Sequence, residues 1–213
     1  MSKIKLVHSS GNSMSIEAPA TNPASDLAIK LPATIGTAGQ VLKNSSTAGT
    51  LEFGTSAGIT MADQWRQSTW HTTNDSENFL TSDWEQVDTS GMGTLGTAMS
   101  QSSGIFTFPE TGIYFVTWNA YGEDAGESNV MSCDIQVTVN NSDYNTRASA
   151  VFGIDEDPSG YSYKGGHCEA LVDVTDTSNV KVRFRVYSNS SVTWDGNTSA
   201  NRMHATFIRM GDT

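Results

Sequence analysis

The sequence predicts an all-β protein: an antiparallel jelly-roll β-sandwich preceded by an extended, short-stranded N-terminal segment. Three observations lead there. Only 16% of the 213 residues are charged, against roughly 25% in an average globular protein. The polar surface comes instead from 27 Ser, 25 Thr, 14 Asn and 19 Gly, residues that favour turns and caps over helix interiors. From about residue 62 onward apolar side chains recur with period two and no amphipathic helix intervenes, which excludes parallel βαβ folds. Residues 1–60, by contrast, contain no Trp or Tyr and hold three of the five prolines. The natural partition is an aromatic-poor segment at 1–60 and one domain at 62–213.

Along the first segment, short apolar groups are separated by Ser/Gly/Pro breaks: Ile4 and Leu6; Met14 and Ile16; Leu27, Ile29 and Leu31; Val41 and Leu42; Leu51 and Phe53. Each group reads as a short strand between turns. So little apolar surface per strand cannot offset the entropy of ordering the chain. The segment is therefore expected either to be disordered or to be ordered by packing on another chain. Ile4, Leu6, Ile16, Leu27, Ile29, Leu31, Val41 and Leu42 are the residues that would make that contact.

In the domain, strands are expected at 64–71, 84–89, 105–108, 112–121, 133–139, 147–152, 167–174, 180–186 and 203–210. Segment 112–121 reads GIYFVTWNAY, apolar on both faces, as a central covered strand would be. In 133–139, Cys133, Ile135, Val137 and Val139 alternate with Asp134, Gln136 and Thr138; in 180–186, Val180, Val182, Phe184 and Val186 alternate with Lys181, Arg183 and Arg185. Each has one core face and one wet or contacting face. Three like charges on one face repel unless acids oppose them, so Asp or Glu is expected from facing strands or a neighbouring subunit.

The formal charge of -11 argues against nucleic acid as a partner, because displacing counterions from phosphates needs clustered Lys and Arg. No apolar run approaches the ~20 residues of a membrane helix, and the N-terminus lacks the apolar core of a secretion signal. Cys133 and Cys168 have no CxxC spacing; two reduced, buried thiols are expected, with a disulfide as the alternative. His8, His71, His167 and His204 are scattered and form no triad signature, so no enzyme activity is expected. Gly91 to Gly96 matches G-x-G-x-x-G, but no helix signal follows, so a loop is expected there rather than a phosphate site.

Two loop features bear on binding. Glu123, Asp124 and Glu127, and Asp155, Glu156 and Asp157, offer hard oxygen ligands without EF-hand spacing; they read as solvated acidic loops, with calcium as the alternative. No other cofactor is expected. Tyr161, Tyr163 and Trp194 read as exposed aromatics that would stack on sugars at a tip, cap the sandwich or meet another subunit.

The run from Gly104 to Val116, GIFTFPETGIYFV, resembles the signature of the globular heads of complement and tumour-necrosis-factor-like proteins. In it Phe106 and Phe108 share one side of a strand, Pro109 ends that strand, Gly112 allows a turn, and Tyr114 and Val116 re-enter the core. Residues 171–182 resemble that family's next hairpin, with Thr177-Ser178-Asn179 where Gly-Asp is usual, and 203–210 resemble its closing strand. Residues 13–20, 27–42 and 49–54 are similar to repeated units in fibre and appendage proteins of tailed bacteriophages, especially marine ones. Together these resemblances imply a homotrimeric virion knob with Phe106, Phe108, Tyr114, Phe115, Val116, Trp118, Phe184 and Phe207 at the core or trimer face. Residues 1–60 would attach it to other virion structural proteins, and the head would meet a host receptor or glycan; it would be assembled in the host cytoplasm. The alternative is a stand-alone sugar- or calcium-dependent recognition module of a bacterium. An enzyme such as a depolymerase has no paired carboxylates to support it.

Overall fold

The computed structural model describes the chain except residues 1, 2, 8, 12, 18, 19, 22, 26, 27, 56, 57, 125, 127, 156, 158 and 159, and the side chains of 3–7, 13–15, 17 and 55. The chain divides into two compact units, Met1–Ala57 and Gly58–Thr213. In the first, β1 (Lys3–Val7) and β2 (Ser13–Glu17) form one antiparallel hairpin, and β3 (Gln40–Asn44) and β4 (Leu51–Thr55) another. The third expected group forms no strand: only Lys30 bridges, to Thr50. Leu27 lies outside the described residues.

The second unit contains, in order, β5 (Ala62–Gln67), β6 (His71–Phe79), β7 (Trp84–Gln86), β8 (Ser100–Ser102), β9 (Ile105–Thr107), β10 (Gly112–Asp124), β11 (Ser128–Thr138), β12 (Asn145–Ile154), β13 (Ser162–Val174), β14 (Lys181–Trp194) and β15 (His204–Gly211). One layer runs β13-β10-β15-β5-β7. The other runs β12-β11-β14, with β9 and β6 on the far side of β14 and β8 beside β9. All pairings are antiparallel, and the layers join where the end of β10 meets the end of β14. This is the expected all-β jelly-roll sandwich.

Period two explains the core directly. Tyr114, Val116, Trp118 and Ala120 of β10 and Val182, Phe184 and Val186 of β14 point inward and are buried. Phe106 sits among Trp65, Trp84, Phe184 and Phe207, with centroids 4.9–5.7 Å apart, within the range of favourable edge-to-face and tilted pairs. Gly112 has φ +146°, and a Cβ there would lie 2.5 Å from the Gly211 carbonyl oxygen. Only glycine fits where the first strand of the signature hands over to the second.

Four sequence expectations are corrected. Residues 171–182 do not form a hairpin: β13 pairs β10 and β14 pairs β11, so the turn at Asp176 to Asn179 carries the chain from one layer to the other. The polar face of β11 is not wet, since Ser132, Asp134, Gln136 and Thr138 are buried. Arg183 and Arg185, in register with Gln136 and Asp134, lie across it. The acids expected opposite the basic stripe serve Arg185 alone, through Asp134 and Glu77. Arg183 instead lies between the rings of Phe79 and Tyr144, 4.0 and 4.2 Å from their centroids. Trp194 is no exposed tip: it is fully buried at the end of β14, donating to Thr73 Oγ1 at 2.8 Å. The cysteines are both free and buried; hydrogen bonding with the Cys168 thiol, and then burial, raise the Cys133 thiol well above its ordinary pKa.

Candidate functional site

Because side chains alternate across a strand, the sheet β13-β10-β15-β5 has an outer face. Its rows follow from register. Leu171, Phe115, Ile208 and Ala62 lie side by side across the four strands, with Ile113 one step further along β10. Leu171 is 70% exposed, Met210 56%, and Phe115, Ile113 and Ile208 are half-buried. Beside Leu171, at the sheet edge, Val137, Val139 and Ala170 line a cavity of about 370 Å³. The row through Phe115 is apolar, with Asp173 beside Ile113 and Arg147 at the cavity placing charge at its edge, and the first and last strands of the head meet there, Met61 bonded to Arg209 and Gly211 beside Ile113.

Further along β10 the face turns polar. Thr117 is flanked by Glu169 and Thr206, and Asn119 by His167 and His204. His167 Nδ1 is 2.8 Å from Asn119 Oδ1, His204 Nε2 is 3.2 Å from Asn119 Nδ2, and Glu169 Oε2 is 3.4 Å from His167 Nε2. Tyr121 then stacks on Tyr163, centroids 6.0 Å apart and planes 12° off parallel. The charge of Glu123 raises the Tyr163 phenol pKa. A groove of about 350 Å³ opens here between Tyr121, His167, Asn201 and Arg202, with Gly165 leaving its outer floor bare.

Burial holds the His204 imidazole below its ordinary pKa, and His167 adds to the effect. The unfolded chain therefore takes up this proton first as pH falls. Stability should be complete above about pH 6.5 and decline from there toward the lowered native value. Melting temperature followed from pH 8 to 5 should show the decline, and His204→Asn should flatten it.

The expected site residues fall into distinct places. Phe106, Phe108, Tyr114, Val116, Trp118, Phe184 and Phe207 are core and cannot face a partner; Phe115 alone of that set looks outward. Tyr163 is on the groove's aromatic pair, whereas Tyr161, 58% exposed, precedes β13. Ile16, Ile29, Leu31, Val41 and Leu42 are exposed, and Ile4 and Leu6 lie on β1. Among the described residues no three His, Cys, Asp or Glu side chains gather as metal ligands. Asp124 instead accepts from the Gly126 amide and the Ser190 hydroxyl; Glu127 and Glu156 lie outside the described residues. Tyr121, Asn119 and Asn201 were not singled out by sequence, because nothing local marks them; only the pairing of β10 with β13 and β15 assembles them.

The fold is that of tumour-necrosis-factor-like jelly rolls. The Eiger TNF of S. frugiperda is similar with a TM-score of 0.54 and 12% identity, over 72% of this chain and 94% of that one. Murine APRIL at pH 8.0 gives a TM-score of 0.49 and 10% identity, over 70% and 98%; at pH 8.5 it gives 0.47 and 11%, again over 70% and 98%. No family model and no curated protein sequence matches the chain.

Proposed function

We propose that the chain is a non-enzymatic structural protein of a bacteriophage particle, a homotrimeric fibre or knob. Residues 1–60 attach it to other virion proteins, and the head is displayed for binding to a host surface. The observation that carries self-association is the apolar half of the outer sheet face, where Leu171, Phe115 and Ile208 form one continuous row. Exposed apolar side chains in such continuity mark an association surface. The resemblance to complement and tumour-necrosis-factor-like heads, which trimerise by packing sheet faces about a threefold axis, favours three copies over two. Attachment is supported by the N-terminal unit, in which Ile16, Ile29, Leu31 and Ile35 are 70–94% exposed. The phage reading draws on the fibre-like sequence of 13–54.

Sedimentation tests the assembly. The chain is expected to sediment at three times its 22.8 kDa mass, and Leu171→Asp with Phe115→Asp to yield folded monomers. A monomeric wild type would overturn the knob reading. Residues 1–57 are expected to resist protease on particles and to be cut in the isolated protein.

A further inference from the structure

The polar half of the same face does not suit packing between identical subunits, and its chemistry suits a ligand. Tyr163 is 52% exposed, so the Tyr121–Tyr163 pair presents an open ring face to solvent. Next to it lies a groove large enough for one or two sugar rings, about 350 Å³. Its walls carry amides, imidazoles and a guanidinium, groups that donate and accept within one small area.

From these features we infer that the groove between Tyr121, His167 and Asn201 binds a neutral saccharide. The inference rests on the reading of the head as a displayed binding domain and names the ligand class and the place. A pyranose ring has a face of C–H groups and a rim of hydroxyls. An aromatic platform beside paired donors and acceptors complements both. Tyr121, which lines the groove, supplies the platform, and Tyr163 stacks against its ring and holds it in place. Gly165, on the outer face between Tyr163 and His167, leaves room for a ring to approach the backbone.

Charge decides between neutral and anionic sugars. Arg202 is the groove's only guanidinium, and it is paired with the buried carboxylate of Asp195. Glu123 stands against Tyr163 and Glu169 against His167. Among the described residues no positive charge of the groove is left uncompensated to hold a carboxylate or sulfate, and the two acids beside it repel one. Sialylated, uronate and sulfated glycans are excluded on this ground, as are phosphorylated ligands.

The position on the sheet keeps the two activities apart. The apolar row through Phe115 and the groove beside Tyr121 sit at opposite ends of β10, so subunits can meet at one end while the other stays open. Three grooves per assembly would convert weak single-site binding into avidity for a repetitive glycan surface.

The test uses the full assembled chain on an array of neutral oligosaccharides built from glucose, galactose, mannose and N-acetylglucosamine, with sialylated and sulfated counterparts. The best neutral binder is then titrated by saturation-transfer NMR. Retention on neutral glycans is expected. Tyr121→Ala and the solvent-exposed Tyr163→Ala should each weaken it by about tenfold, while Tyr161→Ala leaves it unchanged. No binding, a preference for the anionic counterparts, or full binding by Tyr163→Ala with its near-ultraviolet dichroism intact would overturn the assignment. Sedimentation of the same samples separates the two readings. A monomer that binds neutral glycans overturns the trimeric knob and leaves the groove, and a trimer that binds none does the reverse.

Discussion

Phe106→Ala is expected to cost the head about 3–5 kcal/mol, the range for deleting a buried phenylalanine side chain. At roughly 2–4 °C per kcal/mol for a domain of this size, the melting midpoint should drop on the order of 10 °C. Phe106 comes from β9, only three residues long, yet its ring touches Trp65, Trp84, Phe184 and Phe207 from three other strands and the loop-bounded β7. The cavity left behind cannot collapse easily. Trp84 is held by its indole N–H on the Leu80 carbonyl at 2.7 Å, and Phe184 and Phe207 are fixed within paired strands. Residues 1–57 contain no Trp or Tyr, so tryptophan fluorescence and near-ultraviolet dichroism of the intact chain report the head alone. Phe106→Leu, which refills much of the volume, should lose well under half as much. A loss below about 1 kcal/mol for the alanine variant would mean that the aromatic cluster is not where the stability of the sandwich resides.

The inward row of β10 was legible in the sequence because it rests on local alternation, whereas Trp65 and Trp84, which complete the cluster about Phe106, were not singled out. Tyr114, Val116 and Trp118 are two residues apart on one strand, and period two places them on one face whatever the strand pairs with. The same logic misses what depends on pairing. β6 reads HTTNDSENF, with almost nothing apolar, and its Thr73 is buried only because β14 lies beside it and Trp194 donates to its hydroxyl. For the same reason Trp194, followed by Asp-Gly, read as a loop tip: nothing local says that β14 continues to it, paired with β6 and β10. The groove is a stronger case. Tyr121 and Tyr163 stack because β10 and β13 pair over their whole length, and His204 enters from a third strand. Composition signals such as Ser, Thr and Asn richness fix the fold class but not which of those residues end up facing one another.

Arg185→Ala is expected to cost about 3–5 kcal/mol, the price of stranding a buried charge. Asp134 is 1% exposed, and the Arg185 guanidinium reaches it through Nε and Nη2, both at 2.7 Å; the remaining contact is the Ser132 hydroxyl at 3.2 Å. Removing the arginine strips the carboxylate of its two strongest donors and leaves it the Ser132 hydroxyl, at the bottom of the space the guanidinium filled. The other partner, Glu77, has a side chain 58% exposed, so Glu77→Gln should cost at most about 1 kcal/mol, as solvent-screened pairs do. The two acids touch the same guanidinium and differ mainly in burial, so the contrast isolates desolvation from Coulomb attraction. A double replacement, Asp134→Leu with Arg185→Met, removes both charges while keeping the volume filled, and it should recover most of the loss. Urea denaturation of the three variants gives the ordering. Equal losses for Arg185→Ala and Glu77→Gln would show that Asp134 is hydrated in the native head, and the basic stripe of β14 would then be a surface feature and not the seal over the polar face of β11.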